Sequence, residues 1–139
     1  MANTIVLKGQ QNVIRKEAKA SAAITPGDLV EFGGTNELRV HSTIGGSARK
    51  AFALENDLVG QGIDDAYDAN DTVQYGVCSP GCEVYARLAA TKTCTKGDFL
   101  ESAGNGRLQP ASTPIEQSSI AVALETISVA GSRVRVEVT

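Results

Sequence analysis

Apolar residues occur along the chain in many short runs, which glycine, proline, asparagine and aspartate separate. The run at 133–138 alternates strictly between polar and apolar residues, as a half-buried strand does. Shorter strand-like runs lie at 29–32, 37–41, 51–55, 72–77, 83–88, 99–102 and 120–127. Helix is expected only in short pieces, around 14–20 or 55–60. About ten short strands with turns between them predict an all-β fold, either a closed barrel or a compact sandwich.

The chain contains one sequence pattern twice, at a constant shift of seventy residues. Between 25–55 and 95–125, twelve of thirty-one positions are identical, where average composition would give roughly two. The identical residues of the first copy are Thr25, Gly27, Asp28, Glu31, Gly34, Leu38, Ser42, Thr43, Ala51, Ala53, Leu54 and Glu55. We infer one structural unit that is used twice. Two similar halves favour a β-barrel with a pseudo-twofold arrangement, because closure removes exposed sheet edges.

Each copy begins with a turn that depends on its glycine. Pro26 suits the first central position of a type II turn, and Gly27 supplies the positive φ at the second. Asp28 and its repeat partner Asp98 can each accept backbone N–H bonds that stabilise their own turn. Paired carboxylates are also typical of a general acid–base dyad. A small β-barrel enzyme is therefore an alternative, and it requires that Asp28 and Asp98 face one cleft.

The sequence predicts a single compact domain of β-barrel or β-tulip-like form at residues 21–139, preceded by an extended N-terminal arm at residues 1–20. The two repeat units occupy about 24–57 and 94–127. An acidic loop and a hairpin are inserted between them at 58–90, with hairpin strands at 72–77 and 83–88. For residues 1–20, an ordinary first strand is the alternative to an arm.

The composition predicts an aliphatic core and excludes some partners. Hydrophobic residues make up 42% of the 139 residues, aromatic residues only 4%, and there is no tryptophan. The net charge of −3 argues against general nucleic-acid binding. We see neither a secretory signal nor a stretch of transmembrane length, so we expect a soluble protein that is made in a cytosol and has no membrane partner.

Charge is unevenly distributed along the chain. Residues 1–20 contain one acidic residue, Glu17, and four basic residues, which are Lys8, Arg15, Lys16 and Lys19. Residues 51–86 contain no Lys or Arg but seven acidic residues, Glu55, Asp57, Asp64, Asp65, Asp68, Asp71 and Glu83. The basic and acidic segments either meet, within one subunit or between two, or are two solvated stretches. The acidic loop at 64–71 lacks EF-hand spacing, so we expect a solvated loop and no metal.

The remaining candidates for chemistry are one histidine and three cysteines. His41 is expected at the surface or half-buried, with Ser42 on the opposite side of the strand, so a catalytic Ser–His pair is not indicated. Cys78 and Cys82 flank a short turn whose geometry tolerates a disulfide, but we expect these two and Cys94 to be free thiols. The sequence therefore predicts no catalytic residue and no cofactor.

The repeated Thr-x-Gly-Asp-apolar-apolar turn, the glycine hairpin after it and the later Ala-x-Ala-Leu-Glu strand resemble the small capsid decoration (cement) proteins of tailed bacteriophages. The matching stretches are 25–55, 62–88 and 95–138. These are turn and strand patterns, with no catalytic signature among them. The resemblance implies a non-enzymatic virion protein with a β-barrel or β-tulip-like fold. It would bind the outer surface of the head and stabilise it by bridging major capsid subunits.

The resemblance also implies partners and a contact surface. Such proteins are commonly trimers, so we expect a homotrimer that binds the major capsid protein, on the virion and in the host cytoplasm during assembly. An N-terminal arm often makes part of the contact, by strand addition to a capsid subunit. Three weak contacts in a trimer would then act together. The residues here that fit this role are Asn3, Ile5, Leu7, Lys8, Val13, Ile14, Arg15 and Lys16.

A virion module that binds carbohydrate or a host surface is the main alternative. Such sites usually expose aromatic platforms. The aromatic residues available are Phe32, Phe52, Phe99, Tyr67, Tyr75 and Tyr85, most of them within strand patterns.

Overall fold

The computed structural model describes residues 3–112 and 119–139, and they form eleven strands. The strands are β1 Val6–Lys8, β2 Val13–Ala20, β3 Val30–Phe32, β4 Glu37–Val40, β5 Ala51–Ala53, β6 Thr72–Cys78, β7 Glu83–Arg87, β8 Phe99–Ser102, β9 Leu108–Pro110, β10 Ala121–Ala123 and β11 Arg133–Val138. Two short 3₁₀ helices lie at Gln10–Asn12 and Asp57–Val59. The predicted all-β class is confirmed.

The strands form two sheets. One sheet has the order β1-β7-β11-β10-β8-β9 and the other β3-β4-β2-β6-β5. Neighbouring strands are antiparallel except for β2 and β4, which are parallel. The described strands do not pair into one barrel around the whole domain.

The sequence repeat corresponds to a structural repeat that is longer than the sequence indicates. Strands β3, β4 and β5 match β8, β9 and β10 at a shift of seventy residues. The strands that pair with them match as well. Ala18 lies opposite Val73 between β2 and β6, and Ala86 lies opposite Val134 between β7 and β11. Strand β2 is therefore equivalent to β7 at a shift of 68, and β6 to β11 at a shift of 61.

Isolated bridges complete the same cyclic order of strands in both halves. The bridge between Leu29 and Phe52 brings β3 next to β5, so the first half follows the order β3-β4-β2-β6-β5 around a ring. The parallel bridge between Leu88 and Leu108 brings β7 next to β9, and the second half follows the order β8-β9-β7-β11-β10. Each half is thus a five-stranded unit that can enclose its own apolar interior.

The predicted hairpin at 72–88 is wrong. Strand β6 belongs to the first half and β7 to the second, and the two strands lie in different sheets. The connection between them is the link between the halves. It is held by bonds to other segments, since the Ser79 N–H donates to the Asn12 carbonyl at 3.2 Å and the Gly81 N–H donates to the Val138 carbonyl at 2.8 Å.

Residues 6–20 do not form an arm beside the domain, which corrects the division at residue 20. Strand β2 lies between β4 and β6 and pairs with β6 from Val13 to Lys19. Strand β1 pairs with β7 at the edge of the six-stranded sheet. The alternative description, an ordinary first strand, is correct for β2. Its pattern is weak in the sequence because residues 14–17 are exposed on both faces of the strand.

The core is aliphatic, as the composition predicts, and it has two parts with equivalent members. One cluster lies inside the first half and includes Val30, Leu38, Ala51, Ala53 and Val73. The other includes their repeat partners Leu100, Leu108, Ala121, Ala123 and Val134, together with residues from between the halves, among them Ile5, Leu29 and Phe52. The same pattern of strands therefore buries the same positions in both halves.

The two predicted glycine turns have the expected geometry but different surroundings. Gly27 and Gly97 have φ angles of +94° and +95°. In each turn the aspartate accepts the N–H of the threonine three residues earlier, at 2.9 Å in the first turn and 2.8 Å in the second. A Cβ on Gly27 would lie 2.6 Å from Nη1 of Arg133 and 2.9 Å from the Tyr85 carbonyl oxygen, whereas a Cβ on Gly97 would meet nothing within 4 Å.

This pair of glycines separates backbone strain from packing. We expect G97A to lower the free energy of unfolding by about 1–2 kcal/mol, the cost of a left-handed alanine. We expect G27A to cost about 1–3 kcal/mol more, because its methyl group must displace the packed second half. Chemical denaturation of both variants measures the difference. Equal losses would contradict the packing of this turn against Arg133 and Tyr85.

Candidate functional site

His41 is buried at the seam between the two halves, which corrects the prediction of a surface or half-buried position. Its Nδ1 lies 2.7 Å from Oγ of Ser102, at the end of β8 in the second half. Its Nε2 lies 3.0 Å from the carbonyl oxygen of Ser47. Since a carbonyl only accepts, Nε2 donates to Ser47, and a second hydrogen bond joins Nδ1 to the Ser102 hydroxyl.

The contacts of His41 are those of a structural residue. Ser102 is fully buried, and its Oγ also accepts the Gly104 N–H at 3.2 Å. Glu31 lies 3.9 Å from Nε2 of His41, on the side of the ring that already binds Ser47. A substrate would have to open the seam to reach this serine. The arrangement therefore joins the halves and presents no accessible nucleophile.

The repeated aspartates each bind their own turn, as the structural interpretation predicts. Asp28 is buried, and it also accepts a bond from Nη1 of Arg87 at 2.9 Å. Burial raises the pKa of Asp28, although the Thr25 N–H and Arg87 act against this rise. Asp98 is half-buried and accepts the Thr95 N–H. The two carboxylates thus have separate structural partners, which removes the reason to regard them as a dyad.

Glu31 lies near His41 and is held in its charged form by several donors. The N–H and the hydroxyl of Ser42 donate to Oε1 at 3.0 and 2.7 Å, and Nε of Arg39 donates to it at 3.1 Å. Partial burial raises the pKa of Glu31, but these donors and His41 outweigh it, so the pKa is lower than usual. Among the described residues, the side chain of its repeat partner Glu101 accepts one bond, from Gln109 at 3.0 Å.

The three cysteines are buried, and none of them forms a disulfide within the described residues. Burial, with a smaller contribution from neighbouring Cys82, raises the pKa of Cys78 to about 12. Burial also raises the pKa of Cys94. Thiolate formation at neutral pH is therefore suppressed at both residues.

The acidic segment contacts the basic residues within the same chain. Arg15 on β2 donates to Asp57 at 2.8 Å, and Arg133 lies 3.3 Å from Asp64. Asp65 and Asp71 accept backbone N–H groups three residues before them. Within residues 3–112 and 119–139, no group of three His, Cys, Asp or Glu side chains is arranged to hold a metal ion. The same residues contain no helix with the length and apolar character needed to span a membrane.

The residues predicted to contact a capsid lie in three settings. Ile5 is fully buried in the core and is unavailable to a partner unless β1 moves. Leu7 and Val13 are half-buried. The exposed members are Asn3, Lys8, Ile14, Arg15 and Lys16. The last three belong to the exposed residues of β2, which also include Glu17 and Lys19. We call Ile14, Arg15 and Lys16 the exposed strip of β2.

A groove of about 190 Å³ runs beside this strip. It lies between the β1 segment and β2, and its lining residues are Thr4, Val6, Gln10, Val13, Arg15, Leu54 and Glu55. Glu55 fixes one side of it by accepting the Ile5 N–H at 2.9 Å. The groove brings together residues of the N-terminal segment and of the first repeat.

A second cleft, of about 430 Å³, was not predicted from the sequence. We call it the β2 cleft, and it is lined by Glu17, Ala18, Lys19, Phe32, Asn36, Glu37, Thr72 and Tyr75. The Arg49 guanidinium lies over Phe32, 4.1 Å from the ring centroid, and 5.3 Å from that of Tyr75. Phe32 is nonetheless 60% exposed. In the sequence, the signal for the exposure of Phe32 is its position beside the turn glycines at 33–34.

Glu31 allows a test through pH. A carboxylate whose folded pKa is lowered stabilises the fold above its unfolded pKa of about 4.3, and this contribution is lost as the pH falls through the folded value. We expect E31Q to lower the free energy of unfolding at pH 7 by about 1 kcal/mol and to have a vanishing effect below the folded pKa. E101Q is the matched control, expected within about 0.5 kcal/mol of wild type. Denaturation curves from pH 3 to 7 measure both, and a constant effect of E31Q would contradict this account.

The cysteines allow a test through thiol reactivity. At pH 8 we expect none of the three thiols of the native protein to react with an aromatic disulfide reagent within minutes, because they are buried. All three should react after unfolding in denaturant. Absorbance of the released thiolate gives the count. Rapid reaction of a thiol in the native protein would contradict the burial of the three cysteines.

Comparison with known proteins gives a likeness of fold. No model of a protein family matches the chain, and no curated protein matches it. Among solved structures, the chain is similar to the N base of the head fiber protein gp8.5 of bacteriophage phi29, with a TM-score of 0.62 and 15% sequence identity. The alignment covers 91% of this chain and 94% of that one. The two proteins thus share a fold over almost their whole lengths.

Proposed function

We propose that this protein is a structural protein of a bacteriophage virion that binds the outer surface of the head and stabilises it by bridging major capsid subunits. The observation that carries the proposal is the shared fold with a phage head fiber base, which extends over 91% of this chain. The resemblance of its repeated motifs to capsid decoration proteins supports the same location. The buried seam at His41 and the separate roles of Asp28 and Asp98 favour a binding function over an enzymatic one.

The contact with the capsid would use the exposed strip of β2 and the groove beside it. Ile14 is 63% exposed, which is unusual for an isoleucine within a strand. Lys16 follows it on the same face of β2, and Arg15 projects from the opposite face. Lys8 extends the basic surface along β1. Ile5 is left out, because it belongs to the core. Assembly as a homotrimer would add three such contacts, so that modest single contacts give firm attachment.

A virion module that binds carbohydrate remains the second candidate, and the β2 cleft favours it. Exposed Phe32 lies there among polar side chains that include Asn36 and Glu37. Against it, Arg49 lies over the Phe32 ring, where a sugar would stack. Glycan-array binding that is lost in F32A would support this function over capsid attachment.

The proposal is tested with heads of the phage that encodes the chain, assembled without it. The purified protein should co-sediment with these heads and raise the temperature at which they release DNA. We expect I14D to weaken co-sedimentation about tenfold or more, because it places a carboxylate in the apolar centre of the contact.

V129D is the matched control. Val129 is 69% exposed, a fraction similar to the 63% of Ile14, but it lies in the turn before β11. It should bind heads as the wild type does. Failure of the wild-type protein to bind heads would refute the proposed function. Equal weakening by I14D and V129D would refute the proposed surface.

A further inference from the structure

Strand β1 completes the second half by covering an edge of β7. The Tyr85 N–H donates to the Ile5 carbonyl at 2.7 Å. Val6 lies opposite Val84 and Lys8 lies opposite Glu83, with the two strands antiparallel. Nζ of Lys8 is 3.9 Å from Oε2 of Glu83. The N-terminal segment is therefore an added strand on the side of β7 that faces away from β11.

Strand β2 has the equivalent edge, and there it carries no added strand. The Cys78 N–H donates to Lys50, so Cys78 faces β5, and alternation makes Val77 face β2. Ile14, which is opposite Val77, therefore directs its backbone groups toward β6, and Arg15 and Glu17 direct theirs away. Among the described residues, the strand on that side is β4, and its pairing stops at Lys19 and Ala20.

The difference in exposure follows from this difference in pairing. Residues 14–17 of β2 are all exposed. Their equivalents at 82–85 are buried or half-buried, since β1 pairs along this edge and the turn at 25–28 packs against Tyr85. Glu17 is the equivalent of Tyr85, so its N–H is the counterpart of the one that binds Ile5. The first half thus presents the same backbone edge without its strand.

The β2 cleft lies beside this free edge. It runs from residues 17–19 of β2 to the β3–β4 hairpin, and it also reaches Thr72 and Tyr75 of β6. Its volume of about 430 Å³ is enough for several side chains. A strand that paired with Arg15 and Glu17 would lie along this opening, as β1 lies along β7.

The charges of the two edges are opposite, and this defines the strand that fits. Glu83 lies opposite Lys8 of β1, and the equivalent residue in the first half is Arg15. The equivalent of Val84 is Lys16. A second copy of β1 would place Lys8 against Arg15, and pairing of two β2 edges would bring their basic residues together. Carboxylates at both positions would instead form cross-strand ion pairs. Arg15 already binds one carboxylate, that of Asp57. This ion pair is exposed, so breaking it costs little free energy.

We infer that the free edge of β2 accepts an extended segment of a partner protein as an antiparallel strand, with acidic residues opposite Arg15 and Lys16. The backbone bonds would come from Arg15 and Glu17, and the charges would select the partner. The inference rests on the internal template of β1 on β7. It shares Arg15 and Lys16 with the surface proposed for attachment to heads, but peptide binding is measured without heads.

Two synthetic peptides test the inference against the full-length protein. The first has the sequence of residues 3–9, and the second is the same peptide with V6E and K8E. We expect the acidic peptide to bind about tenfold or more tightly at low salt, by fluorescence anisotropy, and to lose affinity as salt rises. On the wild-type protein, the amides of Arg15 and Glu17 should become protected from hydrogen exchange. The amides of Ile14 and Lys16, already bonded to β6, should not change.

Three variants make the test specific. E17P removes the outward N–H and should abolish binding, whereas E17A keeps the N–H and should bind within about threefold of wild type. R15E/K16E should reverse the preference, so that the peptide with the natural sequence binds better. Thermal unfolding of each variant confirms its fold.

The inference is overturned if neither peptide binds below about 1 mM, if E17P binds as well as E17A, or if protection appears on another strand. A dimer that E17P dissociates would also overturn it, since the occupant would then be a second copy of the chain. These outcomes are independent of co-sedimentation with heads, which can fail while the peptide still binds.

Discussion

The turn at 25–28 docks on strands of the second half, and this contact fixes how the halves sit together. Arg87 of β7 donates to Asp28 at 2.9 Å, and Arg133 of β11 donates to the Pro26 carbonyl at 2.9 Å. The close approach depends on Gly27, whose missing side chain leaves room for the Tyr85 carbonyl. Because burial opposes the charge on Asp28, the ion pair adds little net stability, and its main effect is to permit one docking geometry.

The same turn in the second half shows that one sequence signal has two uses. Asp98 also binds its own threonine N–H, but it is only half-buried and has no arginine partner among the described residues. The local turn therefore explains why aspartate follows glycine in both copies. The interface between the halves adds a second constraint to Asp28 alone, and a repeat in the sequence cannot distinguish a residue with one constraint from a residue with two.

What the sequence predicted correctly is local, and what it missed is long-range. The strands of the two repeats and the glycine turns follow from alternation and from positive φ, which depend on a few neighbouring residues. The burial of His41 depends on Ser102, which is 61 residues away. The sequence predicts a hairpin of β6 and β7 because neighbours joined by a short connection usually pair. Here β6 completes the ring of strands in the first half and β7 that in the second. This requirement follows from the strand order of both halves and from no local pattern.

The candidate site arises from an asymmetry of the duplication. Residues 3–112 and 119–139 form two five-stranded units but one added strand, β1, which pairs with β7 and leaves the edge of β2 uncovered. An exposed strand edge promotes aggregation, and proteins commonly protect such edges with charged side chains. Arg15, Lys16 and Lys19 do so here. The charges that keep two copies apart also set the requirement for an acidic partner, so solubility of the free protein and selection of its partner depend on the same residues.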